Sequence, residues 1–192
     1  DTSKRVQINL TPAKTGNLDA KDTTICNGQN PLSLIPLNSG PSNGNPKKYY
    51  YQWLQNLDDL NWTTSPNATG TSVQASFDPP ILNTTTYYQR RIISGRCINY
   101  SSSVKITVLP SITGNLIDRS DSVKCEGSVF TNLSATAPAG GSGTFTYLWQ
   151  DSITSGLWQP ASGTNTTSSH NPAETMFATV EHMYFRRVVI SG

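Results

Sequence analysis

Charge is scarce in this chain. Only 14% of its residues are Asp, Glu, Lys or Arg, and the formal net charge is +2. No like-charge run exceeds the pairs Lys47-Lys48, Arg90-Arg91 and Arg186-Arg187. That is too little for an electrostatic footprint on nucleic acid or on an anionic membrane surface. Long apolar runs are missing as well, so no direct membrane insertion is expected. No signal peptide opens the chain, and no helical period survives beyond one turn. Histidine is limited to His170 and His182, and no Cys/His spacing resembles a zinc site. Asp58-Asp59 and Asp78 lack the spacing of a calcium loop and read as solvated turn residues. No nucleophile-elbow, phosphate-loop or dinucleotide-binding pattern occurs. The chain is therefore expected to be no enzyme, with no catalytic residues, no metal and no cofactor.

What replaces charge is Ser, Thr, Asn, Gly and Pro, residues of turns and exposed strand faces. Four Trp and eight Tyr provide aromatic anchors and argue against disorder. The balance is that of a secreted all-β protein.

An internal repeat dominates the sequence. Thr15-Gly16-Asn17-Leu18 returns as Thr113-Gly114-Asn115-Leu116, and Cys26 as Cys125. Tyr51-Gln52-Trp53 returns as Tyr147-Leu148-Trp149, and Trp62 as Trp158. Tyr88-Gln89-Arg90-Arg91 is matched with Tyr184-Phe185-Arg186-Arg187 at an offset of 96. The offset shrinks from 99 at the cysteines to 96 at Trp53, across loops rich in Gly, Pro, Ser and Asn where length change costs least. The resulting division is residues 1–12 as the closing strand of a preceding repeat, 13–110 as a full immunoglobulin-like repeat, and 111–192 as a second, truncated before its last strand. The neighbouring repeats of the same chain are its first expected partners. Between them, Leu109-Pro110-Ser111 is short and holds a proline, which limits φ.

Cys26 and Cys97 fall within one repeat. A disulfide between them would staple the first strand to the last hairpin and contribute roughly 4 kcal/mol by chain entropy. Cys125 would then lack its partner only because that partner lies past Gly192. The competing reading is three unrelated thiols; the disulfide would imply an oxidising compartment.

Within one repeat, short strands alternate with turn signals, as in a sandwich. They cover Thr23–Cys26, Leu32–Leu37, Tyr49–Gln55, Val73–Phe77, Thr86–Ile93 and Val104–Leu109. Trp53 and Trp149 sit in central strands and are expected in the core. Tyr88 and Arg90, with Tyr184 and Arg186 as their matched copies, are expected to share that face, each Arg stacked on the neighbouring Trp. Trp62 and Trp158 flank a turn, where they either extend the core or stand exposed as sugar platforms. Asn-X-Ser/Thr triplets occur at Asn61, Asn67, Asn83, Asn99, Asn132 and Asn165.

The order Ile-Cys, Tyr-Gln-Trp, a second Trp nine residues on, Thr-Thr-Tyr-Tyr-Gln-Arg-Arg, Ser-Gly-Arg-Cys and Ser-Val-Lys-Ile-Thr-Val resembles a known group. It is similar to the immunoglobulin/PKD-like repeats of giant Bacteroidota cell-surface adhesins exported by the type IX secretion system, the SprB-like gliding-motility adhesins. The resemblance implies an extracellular location on the bacterial surface, and the type IX secretion and gliding machinery as partners of the full-length protein. It also implies O-glycans at Asp-Ser/Thr motifs, for which Thr23, Ser122 and Ser152 are candidates. The expected role is a spacer in a long repeat adhesin for gliding or attachment. The rival readings are a module that grips surface polysaccharide through Trp62 and Trp158, and an accessory domain of a secreted polysaccharide-degrading enzyme.

Overall fold

The computed structural model describes residues 21–36, 41, 49–66, 75–118, 123, 130–153, 156–172 and 182–192. The chain divides between Leu109 and Pro110 into two compact units. Residues 1–12, Thr15–Leu18, Ser122 and Cys125 lie outside the described residues.

In the first unit, strand β2 (Tyr50–Asn56) pairs along its whole length with β4 (Thr86–Ser94). Both are rich in β-branched and aromatic residues, which suit a pleated half-buried surface. The short β3 (Thr63–Thr64) joins β2 on its outer side, at Leu54 and Gln55. On the far side of β4 lie β5 (Cys97–Tyr100) and β6 (Val104–Leu109). The chain of β5 falls where a hairpin loop was expected, so it lengthens the last strand. Finally β1 (Thr23–Cys26) runs parallel to β6, Thr23 facing Ile106 and Cys26 facing Leu109.

The β5–β6 edge contains a bulge. Arg91 faces Tyr100 and Tyr88 faces Val104, so Gln89 and Arg90 stand opposite three residues, Ser101 to Ser103. One extra residue of this kind bends the strand and breaks the ladder. Ser101 repairs it: its N–H donates to Arg90 O at 2.9 Å, and its Oγ accepts from Arg90 N at 3.0 Å. Ser101 is buried, and the repair leaves no buried main-chain group of Arg90 unpaired there.

A second layer crosses below this sheet. Leu34 and Phe77 exchange main-chain hydrogen bonds of 2.8 and 2.9 Å, and Gln29 bridges Leu82. Leu34, Phe77 and Leu82 from that layer meet Trp53, Tyr88, Val104 and Ile106 from the sheet in one core. Two largely antiparallel layers, with β1 alone parallel to its neighbour, close around a single apolar core and make an immunoglobulin-like β-sandwich. In the second unit, β7 (Thr146–Ser152) lies between β8 (Gln159–Pro160) and β9 (Tyr184–Ile190). The Leu133–His170 bridge takes the place of the Leu34–Phe77 bridge. The described residues are all-β, with no helix.

Cys26 and Cys97 do not form a disulfide. Cys26 faces Leu109, beyond the Thr86 end of β4, whereas Cys97 faces Ser94 at its other end. Nine residues of β4 separate these levels. At about 3.3 Å per residue the thiols stand roughly 25 Å apart or more, against the ~7 Å limit between Cα atoms of a bridged pair. The parallel entry of β1 beside β6 puts Cys26 at the opposite end of the sheet from the β4–β5 turn, which position within the repeat does not reveal. With the disulfide goes the inference of an oxidising compartment that rested on it.

Both thiols are exposed. Iodoacetamide should therefore alkylate Cys26 and Cys97 in the folded protein, and a reductant should leave the unfolding midpoint unchanged. Protection of both that disappears on reduction would contradict this arrangement.

Candidate functional site

Among the described residues, each unit holds one arginine inside its core. Arg90 is 0% exposed, on the same inward row of β4 as Tyr88 and Ile92. Cross-strand pairing sets it directly opposite Trp53. Its guanidinium carbon lies 5.1 Å from the Tyr51 ring centre and 6.0 Å from that of Trp53, and Nη1 donates to Ala75 O at 3.2 Å. Burial pushes this guanidinium below its ordinary pKa, while Tyr51 opposes the change.

Arg187 repeats the geometry. It faces Trp149 across β7 and β9 and lies 5.1 Å from the Tyr147 ring centre and 5.9 Å from that of Trp149. Its Nε donates to Asn115 Oδ1, Nη1 to Ser168 O and Nη2 to Thr136 O, each at 2.7 Å. Neutral oxygens from three separated segments thus converge on one cation. Each charge-assisted bond is worth about 1.5–3 kcal/mol and a desolvated ring face about 2. Together these offset the several kcal/mol needed to bury an ion.

The copy of Arg90 is therefore Arg187, and the expected pairing with Arg186 is corrected. The chain is one residue longer between Trp158 and Arg187 than between Trp62 and Arg90. A one-residue slip moves every side chain of a strand to its other face. Tyr184 accordingly stands 46% exposed rather than in the core, and Arg186 is exposed on the outer face. The copy of Tyr88 is Phe185, which lies against His170 at 5.7 Å. His170 in turn holds the place of Phe77. It stacks on Trp149 at 5.8 Å, as Phe77 stacks on Trp53 at 5.4 Å, and its Nδ1 is 3.1 Å from Thr164 O.

Asn115 is a residue that sequence reasoning used only as a marker of the repeat. Gly114 and Asn115 both adopt positive φ, 80° and 73°, a conformation natural to Gly and tolerated by Asn. A Cβ on Gly114 would meet Ala137 O at 2.6 Å. The turn aims the Asn115 amide at Arg187, accepting from Nε and donating through Nδ2 to Arg187 O at 3.0 Å. The recurrence of Thr-Gly-Asn-Leu was the signal that could have found it.

Trp62 and Trp158 occupy the opposite, outer face, both half-buried. Trp158 is covered by Arg186, whose guanidinium carbon lies 4.4 Å from its ring centre and whose Nε donates to Gln150 Oε1 at 2.8 Å. Trp62 borders an open depression with Gln52, Thr64, Gln89, Arg91 and Tyr100, above Leu54.

Of the modification candidates, Thr23 is exposed on edge strand β1. Ser152 is corrected: it is 2% exposed, beside the equally buried Asp151 that accepts from Gln159 Nε2 at 3.0 Å. Its strand turns Ser152 away from any glycosylating enzyme. Asp58 is held below the usual carboxylate range by the Asn61 and Leu60 main-chain N–H groups and the Asn61 amide. It closes its own turn in this way. Among the described residues no three His, Cys, Asp or Glu side chains cluster as a metal site would require.

The profile of the family described as "Domain of unknown function (DUF8696)" matches residues 15–110, half of the chain. No curated protein matches the sequence. Among solved structures, Sidekick-1 immunoglobulin domains 1-5 is 14% identical with a TM-score of 0.42, over 93% of this chain and 34% of that one. The N-terminal four Ig domains of Dscam1 isoform 6.9 are 12% identical with a TM-score of 0.42, over 80% of this chain and 38% of that one. The chain thus spans about a third of the length of either structure.

Tyr88 provides a pH test of the core. Burial pushes its phenol from 10.0 up to about 12, and its hydroxyl has no hydrogen-bond partner among the described residues. The folded state keeps a proton that the unfolded state sheds. Stability should therefore be unaffected by this group below pH 10 and fall as pH rises from 10 toward 12, by up to about 1.4 kcal/mol per pH unit. Urea unfolding across that range should show the loss in the first unit, and Tyr88→Phe should flatten it. An unchanged slope in that variant would contradict the burial.

Proposed function

The chain belongs to the DUF8696 family, and we propose that it is a non-catalytic structural spacer in a long extracellular repeat adhesin. The observation that carries this reading is that the buried cation over its two rings recurs. Arg90 over Tyr51 and Trp53 recurs as Arg187 over Tyr147 and Trp149 almost to the tenth of an ångström. The outward residues differ instead: Gln89 gives way to Arg186, Arg91 to Val188 and Thr64 to Pro160. A lectin array would repeat its surface; a spacer repeats its core and lets the surface vary.

In repeat proteins of this kind stability is roughly a sum over units and their neighbours. In the second unit, a cation that ties three segments to the central strand pair resists shear between them. The Ser/Thr/Asn-rich surface suits a solvated rod, and Thr23 on its exposed edge strand is accessible to O-glycosylation. The similarity to Bacteroidota surface repeats supports export by type IX secretion and a place in gliding or surface attachment.

Pulling single molecules of the chain should give discrete unfolding events, one for each unit. Antibodies against it should also label intact, unpermeabilised cells. A featureless extension would contradict the mechanical role, and labelling only after permeabilisation would contradict the location.

A further inference from the structure

The outer face of the first unit is built differently from that of the second, and the difference opens a site. The sheet geometry explains how. On β4 the residues between the buried ones, Gln89 and Arg91, point away from the core, as do Gln52 and Leu54 on β2. Thr64 faces Leu54 from β3, and Tyr100 faces Arg91 from β5. Trp62, just before β3, forms the remaining wall. These side chains enclose an open depression of about 530 Å3, within the ~300–1,000 Å3 span of small-molecule sites.

In the second unit the corresponding indole, Trp158, is capped by Arg186 at 4.4 Å. In the first unit the equivalent of Arg186 is Gln89, and its amide turns aside to donate to Ser101 O at 2.9 Å. That carbonyl is offered by the β5–β6 bulge. Among the described residues no cation lies over Trp62. Gln52 Oε1 and Arg91 Nε, of two side chains that line the depression, are closed to solvent and have no hydrogen-bond partner among the described residues. One is an acceptor and the other a donor. Leaving both unpaired costs of order 1–3 kcal/mol each.

We propose that this depression binds a saccharide unit, its C–H face lying on Trp62 and its hydroxyls pairing with the Gln52 and Arg91 side chains that line it. A sugar hydroxyl both donates and accepts, so neighbouring hydroxyls suit an amide and a guanidinium that stand side by side across β2 and β4. The electron-rich face of an indole attracts the polarised C–H groups on the flat side of a pyranose. A purely apolar ligand would strip water from the polar side chains lining the depression and give nothing back. A phosphate backbone needs several cations, and among the described residues Arg91 is the only charged one lining the site. An extended peptide pairs with a sheet edge, whereas this depression lies on a sheet face. The site is confined to the first unit, so it goes beyond the spacer reading and does not depend on it.

The test is a nitrogen-edited NMR titration of the 192-residue chain with cellohexaose, maltohexaose, laminarihexaose and oligogalacturonate, each at about 10 mM, well above millimolar affinity. The Trp62 indole signal should shift with at least one of them, while that of Trp158 stays in place. Trp62→Ala and Arg91→Ala should each weaken binding roughly tenfold or more, as loss of a central aromatic or Arg anchor does. Gln89→Arg copies the second unit's own cap and should abolish binding with the main-chain spectrum otherwise retained. No shift at Trp62 with any of the four sugars would overturn the proposal. Binding that survives Gln89→Arg undiminished, or equal shifts at Trp158, would overturn it too. Loss of mechanical resistance in pulling experiments would leave the site standing, so the two readings fail separately.

Discussion

A buried guanidinium laid over a Tyr and a Trp organises each unit. An arginine with no water around it is tolerable only where carbonyl oxygens and ring faces replace its hydration. Arg187 shows what that demands: oxygens from Asn115, Thr136 and Ser168, arriving from three separate stretches, all at 2.7 Å. Once those stretches are tied to β9, their own turns must comply. The positive φ at Gly114 and Asn115 is one such consequence. The aromatic stack behind the cation is another, Trp53–Phe77–Tyr88 in the first unit and Trp149–His170–Phe185 in the second.

The same alternation that turns Arg90 inward turns Gln89 and Arg91 outward. The bulge at Ser101 to Ser103 then divides the edge of β4 between β5 and β6, and it presents the carbonyl that holds Gln89 aside. Inner clamp and outer depression are thus two faces of one register. In the second unit the residue outside the clamp is Arg186, which closes its own indole. The same buried clamp therefore supports an open face in one unit and a capped face in the other.

Much of the fold was legible in the sequence because its signals are local. Alternation marked β2, β4 and β6, and the recurring Trp marked the central strand. The register of β9 was not legible from the arginines, because Tyr-x-Arg-Arg in one copy can be laid on Tyr-Phe-Arg-Arg or shifted by one. The Ser-Gly pair after the strand repeats at an offset of 97 and carries the register that the structure shows. Composition flagged His170 only as a histidine; its role as a core ring depends on Leu133 bridging it as Leu34 bridges Phe77. The cysteines misled because their separation depends on β1 running parallel beside β6, a pairing with no local signature. The depression was half legible, as an indole beside a turn. Its polar wall comes from three other strands, which only the folded sheet brings together.

The most direct measurement compares Arg187→Ala with Arg186→Ala by chemical denaturation of the second unit. If the buried clamp holds the unit together, Arg187→Ala leaves a cavity and three orphaned acceptor oxygens and costs about 3–5 kcal/mol. Arg186→Ala, an exposed cation on an indole, costs about 1 kcal/mol or less. The reverse order, or equal costs, would contradict the account.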